Sequence, residues 1–446
     1  MNHSPLTSPL LPPVTIERII AGGRGLARLP DGLVVLLPLV LPGELVRPQV
    51  RRRRSGYLEA EALEILAPAP ARVVPPCPLA GVCGGCDLMH AGPALQLAIK
   101  DAILAEALHR AGAHQALENR QAILPSPQPL GYRNRLRLHL DPAGRPGLRR
   151  AASDEVIPVP FCPVAAPALN RTLERLHQAA RHGLLDPHWG RCDIQLSPVD
   201  DQVFAHLALP RPPTEKTRRR LASLAREAEL ADIALTVAHR RFSLQTEITR
   251  RPRLHLPAPA RNRPLELCWE AGGFCQVNTG QNEVLVAEVC RLAQPRPQEK
   301  ILDLYCGMGN FSLPLAARGA KVLGMEQDPT AVLRAQDNAR ANGLAQHCRF
   351  VAVAVTAGLT DLVRQGERFR TVVLDPPRQG LDGAGAQCIA RLRPERIVYV
   401  SCDPATLARD LHILDEEGFR TSICRPLDMF PQTSHVESLV LLEKNW

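Results

Sequence analysis

The sequence predicts an α/β protein: a mostly parallel, doubly wound sheet in its C-terminal part, a small β-barrel near its start, and a cysteine-bearing segment between them. Three observations carry this. From about Leu267 onward, hydrophobic strand-like runs alternate with helical stretches, the pattern of a parallel sheet covered by helices. Between Val14 and Pro68, short strand candidates alternate with Gly-containing turns, as in small barrels. The stretch Pro75 to Asp87 concentrates proline, glycine and cysteine and fits neither pattern.

The 446 residues suffice for two or three domains, at roughly 100–200 residues each. The composition shifts divide them at 1–70, 71–265 and 266–446. In the first part, Gly22 to Gly25 makes a turn, Leu33 to Leu37 a buried strand, and Pro42-Gly43 a second turn before Glu44 to Val50. The middle part opens on the cysteines, continues through a helical segment (Leu95 to Leu108), and then alternates as in Arg135 to Leu140. In the last part the strand candidates are Ile301–Leu304, Lys321–Met325, Arg349–Val353, Thr371–Leu374, Arg396–Val400, Arg420–Cys424 and Ser438–Leu442. Helical stretches such as Asn282–Leu292 and Ala331–Ala341 lie between or before them.

The net charge of +9 points to a polyanionic partner. Basic residues run together at Arg51–Arg54, at Arg218–Arg220 and at Arg250, Arg251 and Arg253. The longest apolar run, Leu33 to Pro42, falls far short of the ~20 residues that span a bilayer. Thirteen cysteines, an odd number with no leader pattern at the start, predict reduced thiols or metal ligation in the cytoplasm, with no membrane and no obligate protein partner.

Four motifs gather at strand ends. Ile301-Leu302-Asp303-Leu304-Tyr305-Cys306-Gly307-Met308-Gly309-Asn310 runs a buried strand into a Gly-rich turn, where a ligand can approach the backbone. The next strand ends in Glu326, well placed to bond ribose hydroxyls. Asp-x-Tyr-Cys-Gly-x-Gly resembles the cofactor turn of methyltransferases more than the Gly-x-Gly-x-x-Gly of dehydrogenases. Asp375-Pro376-Pro377-Arg378 follows the fourth strand; its last position is often aromatic in enzymes that methylate exocyclic amines, so an amine target is disfavoured. Tyr399-Val400-Ser401-Cys402-Asp403-Pro404 delivers a cysteine to the carboxyl edge, where open α/β sheets bind ligands. A free cysteine is usually a small core filler, and Cys192, Cys268, Cys275, Cys290, Cys306, Cys348, Cys388 and Cys424 are read that way. The place of Cys402 reverses that reading. Glu437 leads into the last strand beside the same edge and is a candidate base.

Cys77, Cys83 and Cys86, with Gly84-Gly85 between them and Cys162 downstream, suggest a metal or iron–sulfur site. Four thiolates suit either zinc or a cluster. Zinc ribbons favour paired Cys-x2-Cys, which this spacing is not.

Together these motifs closely resemble the RNA uridine-5-methyltransferase family, in particular its 23S ribosomal RNA branch, over nearly the whole chain. The resemblance implies a Rossmann-like S-adenosylmethionine-dependent methyltransferase domain, an N-terminal TRAM (OB-like) RNA-binding β-barrel and a central iron–sulfur domain. It assigns a [4Fe–4S] cluster to Cys77, Cys83, Cys86 and Cys162. It assigns cofactor contacts to Gln276, Tyr305, Asn310, Glu326 and Asp375, the nucleophile to Cys402 and the base to Glu437. The transfer-RNA branch usually lacks the TRAM segment and the cluster cysteines, so 23S rRNA is the expected partner, with a tRNA uridine as the alternative.

The implied chemistry needs a thiolate to add to uracil C6, and so a setting that lowers the pKa of Cys402. Two departures stand out: Gln432 replaces a common histidine, and Phe350 to Ala354 offers no polar residue to the adenine edge. Rival readings fit less well. An RNA cytosine-5 methyltransferase would carry a cysteine where Arg378 stands. A radical enzyme would use Cys-x3-Cys-x2-Cys, and an RNA-binding protein without activity would not need both Cys402 and Glu437.

Overall fold

The computed structural model describes residues 11–237, 240–244, 250–258 and 261–444; the Pro-rich start lies outside them. Among these residues the strands form three large sheets and one two-stranded ribbon.

The first sheet has six strands between Val14 and Ala67. Its two outermost strands, Val14–Thr15 and Arg18–Ile20, are separated in the chain only by Ile16 and Glu17. A sheet whose opposite edges are joined by so short a link must curl round on itself. The curl encloses a core of Val14, Ile16, Ala27, Val35, Leu37, Val40, Val46, Leu58 and Ala60. Gly25 allows it: a Cβ there would press into Val40 and Ile16. Glu44, fully buried, accepts from the amides of Leu41 and Ala69 and pairs with Arg72, so its carboxyl stays below the usual range against the burial that would raise it.

The middle sheet has seven strands, from Arg135–Leu140 to Arg240–Ser243, mainly antiparallel. Cys162 belongs to its core, and Cys77, Cys83 and Cys86 pack against it.

The C-terminal sheet has the order Cys348–Ala352, Lys321–Glu326, Lys300–Leu304, Thr371–Leu374, Arg396–Ser401, Glu437–Lys444, Phe419–Leu427. The first five are parallel, as the alternation predicts, while Glu437–Lys444 runs antiparallel to both of its neighbours. The strand order reverses between Lys300–Leu304 and Thr371–Leu374, where the crevice of an open α/β sheet lies. Burial on both faces explains the continuous apolar runs, of which Thr371–Leu374 is buried at every residue.

Helices Pro93–Arg110 and His114–Glu118 pack on this C-terminal sheet, placing Leu104, Leu108 and Ala116 in one core with Tyr399, Leu411 and Phe419. No helix among the described residues is long and apolar enough to cross a membrane.

Candidate active site and its cysteine-lined neighbour

Each strand-end motif opens on the same cavity, of about 800 Å³. Tyr305 follows the central strand with φ +61°, a left-handed conformation that costs a side-chain-bearing residue energy, and Gly307 follows at φ +53° with open space above it. Glu326 accepts from the amides of Gly307 (3.3 Å) and Asp328 (2.9 Å), which points its carboxylate back at the Gly-rich turn. Gly324 has to be glycine, because a Cβ would meet Phe350 at 2.5 Å.

Asp375 leaves the fourth strand half-buried and accepts from Gln276 Nε2 at 3.3 Å. Gln276 is itself held through its carbonyl by Asn134 Nδ2 (2.8 Å), so the middle sheet supports one wall of the cavity. The loop after Asp375 is fixed from behind: Asp410 accepts from Leu381 N and Tyr399 OH, each at 2.7 Å.

Cys402 stands in the turn between strand and helix. Ser401 and Asp403 lock the backbone on either side of it, and Asp403 caps helix Pro404–Glu416 by accepting from Ala405 and Thr406 amides at 3.0 Å. The antiparallel last strand supplies the facing group. Its register pairs Ser438 with Ser401, so Glu437, one residue earlier, lies across from Cys402, one residue later. Antiparallel pairing brings the start of one strand to the end of the other, and so puts this carboxyl on the carboxyl edge of a parallel sheet.

Burial dominates the electrostatics. It pushes the Cys402 thiol up to about 12, with the Glu437 and Asp375 carboxyls adding to the rise and Arg378 opposing it. Burial, then Asp375, lifts Glu437 well above the carboxylate range, while Asp375 is raised by burial to about 7. The expected lowering of the Cys402 pKa is therefore corrected. Burial and two acids beside the thiol both act against its ionised form.

Gln276, Tyr305, Glu326, Asp375, Cys402 and Glu437 all line this one cavity. Asn310 does not: its amide pairs reciprocally with Asn282 at 2.9 Å. Arg133, which no motif contained, completes the wall with Thr433 and His435 of the stretch leading into Glu437 and with Phe274, which is 71% exposed. An exposed phenylalanine among polar neighbours is a signal that a sequence alone does not give.

Gly84, Gly85 and Arg133 also line a second cavity, of about 360 Å³, into which Cys77, Cys83, Cys86 and Cys162 all open. All four are free thiols; burial raises Cys83, Cys162 and Cys86, the last to about 12, and the Arg133 guanidinium pulls each of these down. Among the described residues no three His, Cys, Asp or Glu side chains stand drawn together as metal ligands.

The chain resembles known proteins along this architecture. The family profile described as tRNA (Uracil-5-)-methyltransferase matches residues 150–445. A protein of Alkalilimnicola ehrlichii named 23S rRNA (uracil(1939)-C(5))-methyltransferase RlmD is 35% identical over 97% of this chain and 98% of its own. A protein of Pseudomonas putida with the same name is 35% identical over 96% of this chain and 92% of its own. The solved structure of Pyrococcus abyssi tRNA (uracil-54, C5)-methyltransferase with S-adenosyl-L-homocysteine overlays with a TM-score of 0.71 at 24% identity, over 96% of this chain and 100% of that one, and so shares the fold. With two thirds of its length inside the family profile and relatives matched almost from end to end, the chain belongs to the tRNA (uracil-5-)-methyltransferase family.

Proposed function

We propose that this protein is a 23S rRNA (uracil-5-)-methyltransferase that uses S-adenosylmethionine, with Cys402 as nucleophile and Glu437 as base. One observation carries the assignment of roles: the Ser401–Ser438 register sets a cysteine and a buried carboxyl across from each other in the cavity that also holds the cofactor candidates. The ribosomal target rests on the near-complete match to the two RlmD proteins.

The residues present suit the cofactor. Gly307 leaves room at the turn, Glu326 presents a carboxylate for ribose hydroxyls, and Gln276, Tyr305 and Asp375 close the wall toward Cys402. When bound, S-adenosylmethionine supplies an electrophilic methyl group on a positively charged sulfur. The cavity holds two acids, the half-buried Asp375 and the buried Glu437, whose pKa values burial raises and which a cation favours as carboxylates. Asn310 is better read as a brace for the Gly-rich turn, through Asn282, than as a direct contact.

Once its thiol proton has gone to solvent, Cys402 Sγ adds to C6 of the uracil; this moves electron density to C5, which takes the methyl group as S-adenosylhomocysteine departs with the carbon–sulfur electron pair. Glu437 then takes the C5 proton, the C5–C6 double bond re-forms, and the thiolate leaves C6. A stacked base hides C6, so the uridine must be flipped into the cavity. The curled N-terminal sheet, read as the TRAM barrel, and the basic surface would grip the surrounding RNA by its phosphates.

The second cavity suits a [4Fe–4S] cluster: four soft donors from two distant segments surround one space. Cys77, Cys83, Cys86 and Cys162 would hold it, tying the cysteine segment to the middle sheet. The cluster would supply structural support, and no step of the methyl transfer passes through it.

The test is methylation of a 23S rRNA fragment and of tRNA by the purified protein, with nucleoside mass mapping. C5-methyluridine in the ribosomal fragment, absent with Cys402→Ala, supports the reading. Methylation of tRNA alone, or of cytidine, overturns it.

A further inference from the structure

Glu437 ends a ten-residue segment, Asp428 to Glu437, much of whose backbone is held from outside the C-terminal domain. Ser434 donates to Asp87 twice, from its amide to Oδ1 and from its hydroxyl to Oδ2, both at 2.7 Å. Leu88 N donates to Gln432 O at 3.0 Å, and Tyr132 OH to Pro431 O at 3.0 Å. Ser434 and Glu437 are both buried, so the turn has no room to adjust. Asp87 stands at the meeting of three parts of the molecule. It is the residue after Cys86, it bonds the catalytic turn, and its carboxyl packs so closely on Gly23 of the N-terminal sheet that a Cβ at Gly23 would overlap it.

We propose that Asp87 is a positioning residue for the final proton transfer: its two bonds to Ser434 set the turn that aims Glu437 across at Cys402. The inference rests on the roles given to Cys402 and Glu437 above. In the step it serves, the C5–H bond breaks toward the Glu437 carboxylate, its electron pair forms the C5–C6 double bond, and the C6–S pair departs with Cys402. Addition of Cys402 and transfer of the methyl group need neither Asp87 nor a well-aimed Glu437. Loss of Asp87 therefore slows one step and leaves its predecessor to accumulate.

The experiment compares Asp87→Ala, Asp87→Asn, Ser434→Ala and Glu437→Gln in the full chain, with one 23S rRNA fragment and S-adenosylmethionine. Turnover and the protein–RNA adduct that survives denaturing electrophoresis are both measured. Asp87→Ala is expected to lose kcat by about 10- to 100-fold, the scale of a small misplacement of a catalytic group. Its KM for RNA should stay unchanged and adduct should build up. Asp87→Asn keeps an acceptor for the Ser434 amide and reverses the second bond, its Nδ2 donating to Ser434 Oγ, and is expected to restore most of the turnover. Ser434→Ala, which deletes one bond and leaves Asp87 in place, should show the same signature more weakly and serves if the alanine variant at Asp87 does not fold. Folded Asp87→Ala or Ser434→Ala protein that turns over normally, or that loses activity without trapping adduct while Glu437→Gln traps it, overturns the proposal. Failure of Glu437→Gln itself to trap adduct overturns the reading on which it rests.

Discussion

Cys402 meets an incoming uridine as a thiol. Burial first, and next Glu437 and Asp375, push its pKa up to about 12, which favours the thiol over the thiolate in the ligand-free protein. The sign follows directly: a raised thiol pKa means reactivity that climbs with pH. In the ligand-free protein, alkylation of Cys402 by iodoacetamide, followed by peptide mass analysis, is expected to quicken about tenfold per pH unit from neutrality upward, since the thiolate is the nucleophile. S-adenosylmethionine, which brings a sulfonium charge beside the two carboxyls, should quicken it more than S-adenosylhomocysteine, whose sulfur is uncharged. A rate already level at neutral pH contradicts this account. Glu326 makes a second residue-scale test: Glu326→Ala should weaken cofactor binding by ~1.5–3 kcal/mol, measured by calorimetry, if its carboxylate bonds the ribose. Unchanged affinity would reject that role. Strand-end position made Cys402, Glu437 and Glu326 legible in the sequence. The raised thiol was not legible, because it depends on carboxyls that reach Cys402 only through folding.

At the scale of elements, hydrophobic alternation located all seven strands of the C-terminal sheet within a few residues, because strands buried on both faces leave continuous apolar runs. A helical pattern does not say which sheet a helix covers. Helix Pro93–Arg110 follows the cysteine segment in the chain yet packs on the C-terminal sheet and braces the catalytic turn. Two of its polar residues do this. Gln96 bonds Gln432 reciprocally at 3.0 Å, side chain to side chain and side chain to amide, so the glutamine that replaces a common histidine has a partner built for it. Lys100, fully buried, pairs with Asp428 and donates to Phe430 O at 2.9 Å. Burial lowers the Lys100 pKa and raises that of Asp428, and each partner's charge works against that shift. Removing one member leaves the other charge buried and unpaired. Lys100→Ala is therefore expected to cost about 3–5 kcal/mol of stability, read from urea denaturation. An unchanged midpoint would mean the pair is not formed in solution.

Across the whole molecule, the cysteine segment, the approach to the middle sheet and the strand ends of the C-terminal sheet meet at one cavity. The middle part gives Asn134 to the cofactor wall and Arg133, Gly84 and Gly85 to the partition between the two cavities. The four cysteines grouped from the sequence line the second cavity; the partition it shares with the first was invisible, since it joins residues distant in the chain. Protein purified without oxygen is expected to be brown and to contain iron and sulfide, and Cys83→Ala should lose solubility more than it alters the chemistry of what remains folded. Colourless protein with stoichiometric zinc contradicts the cluster. The central claim, that Cys402 attacks and Glu437 deprotonates, is tested most directly by incubating Cys402→Ala and Glu437→Gln with the same rRNA fragment and S-adenosylmethionine and resolving the products by denaturing electrophoresis. The account predicts no covalent species with Cys402→Ala and a stable protein–RNA adduct, already methylated, with Glu437→Gln. An adduct with Cys402→Ala, or full turnover with Glu437→Gln, would contradict it.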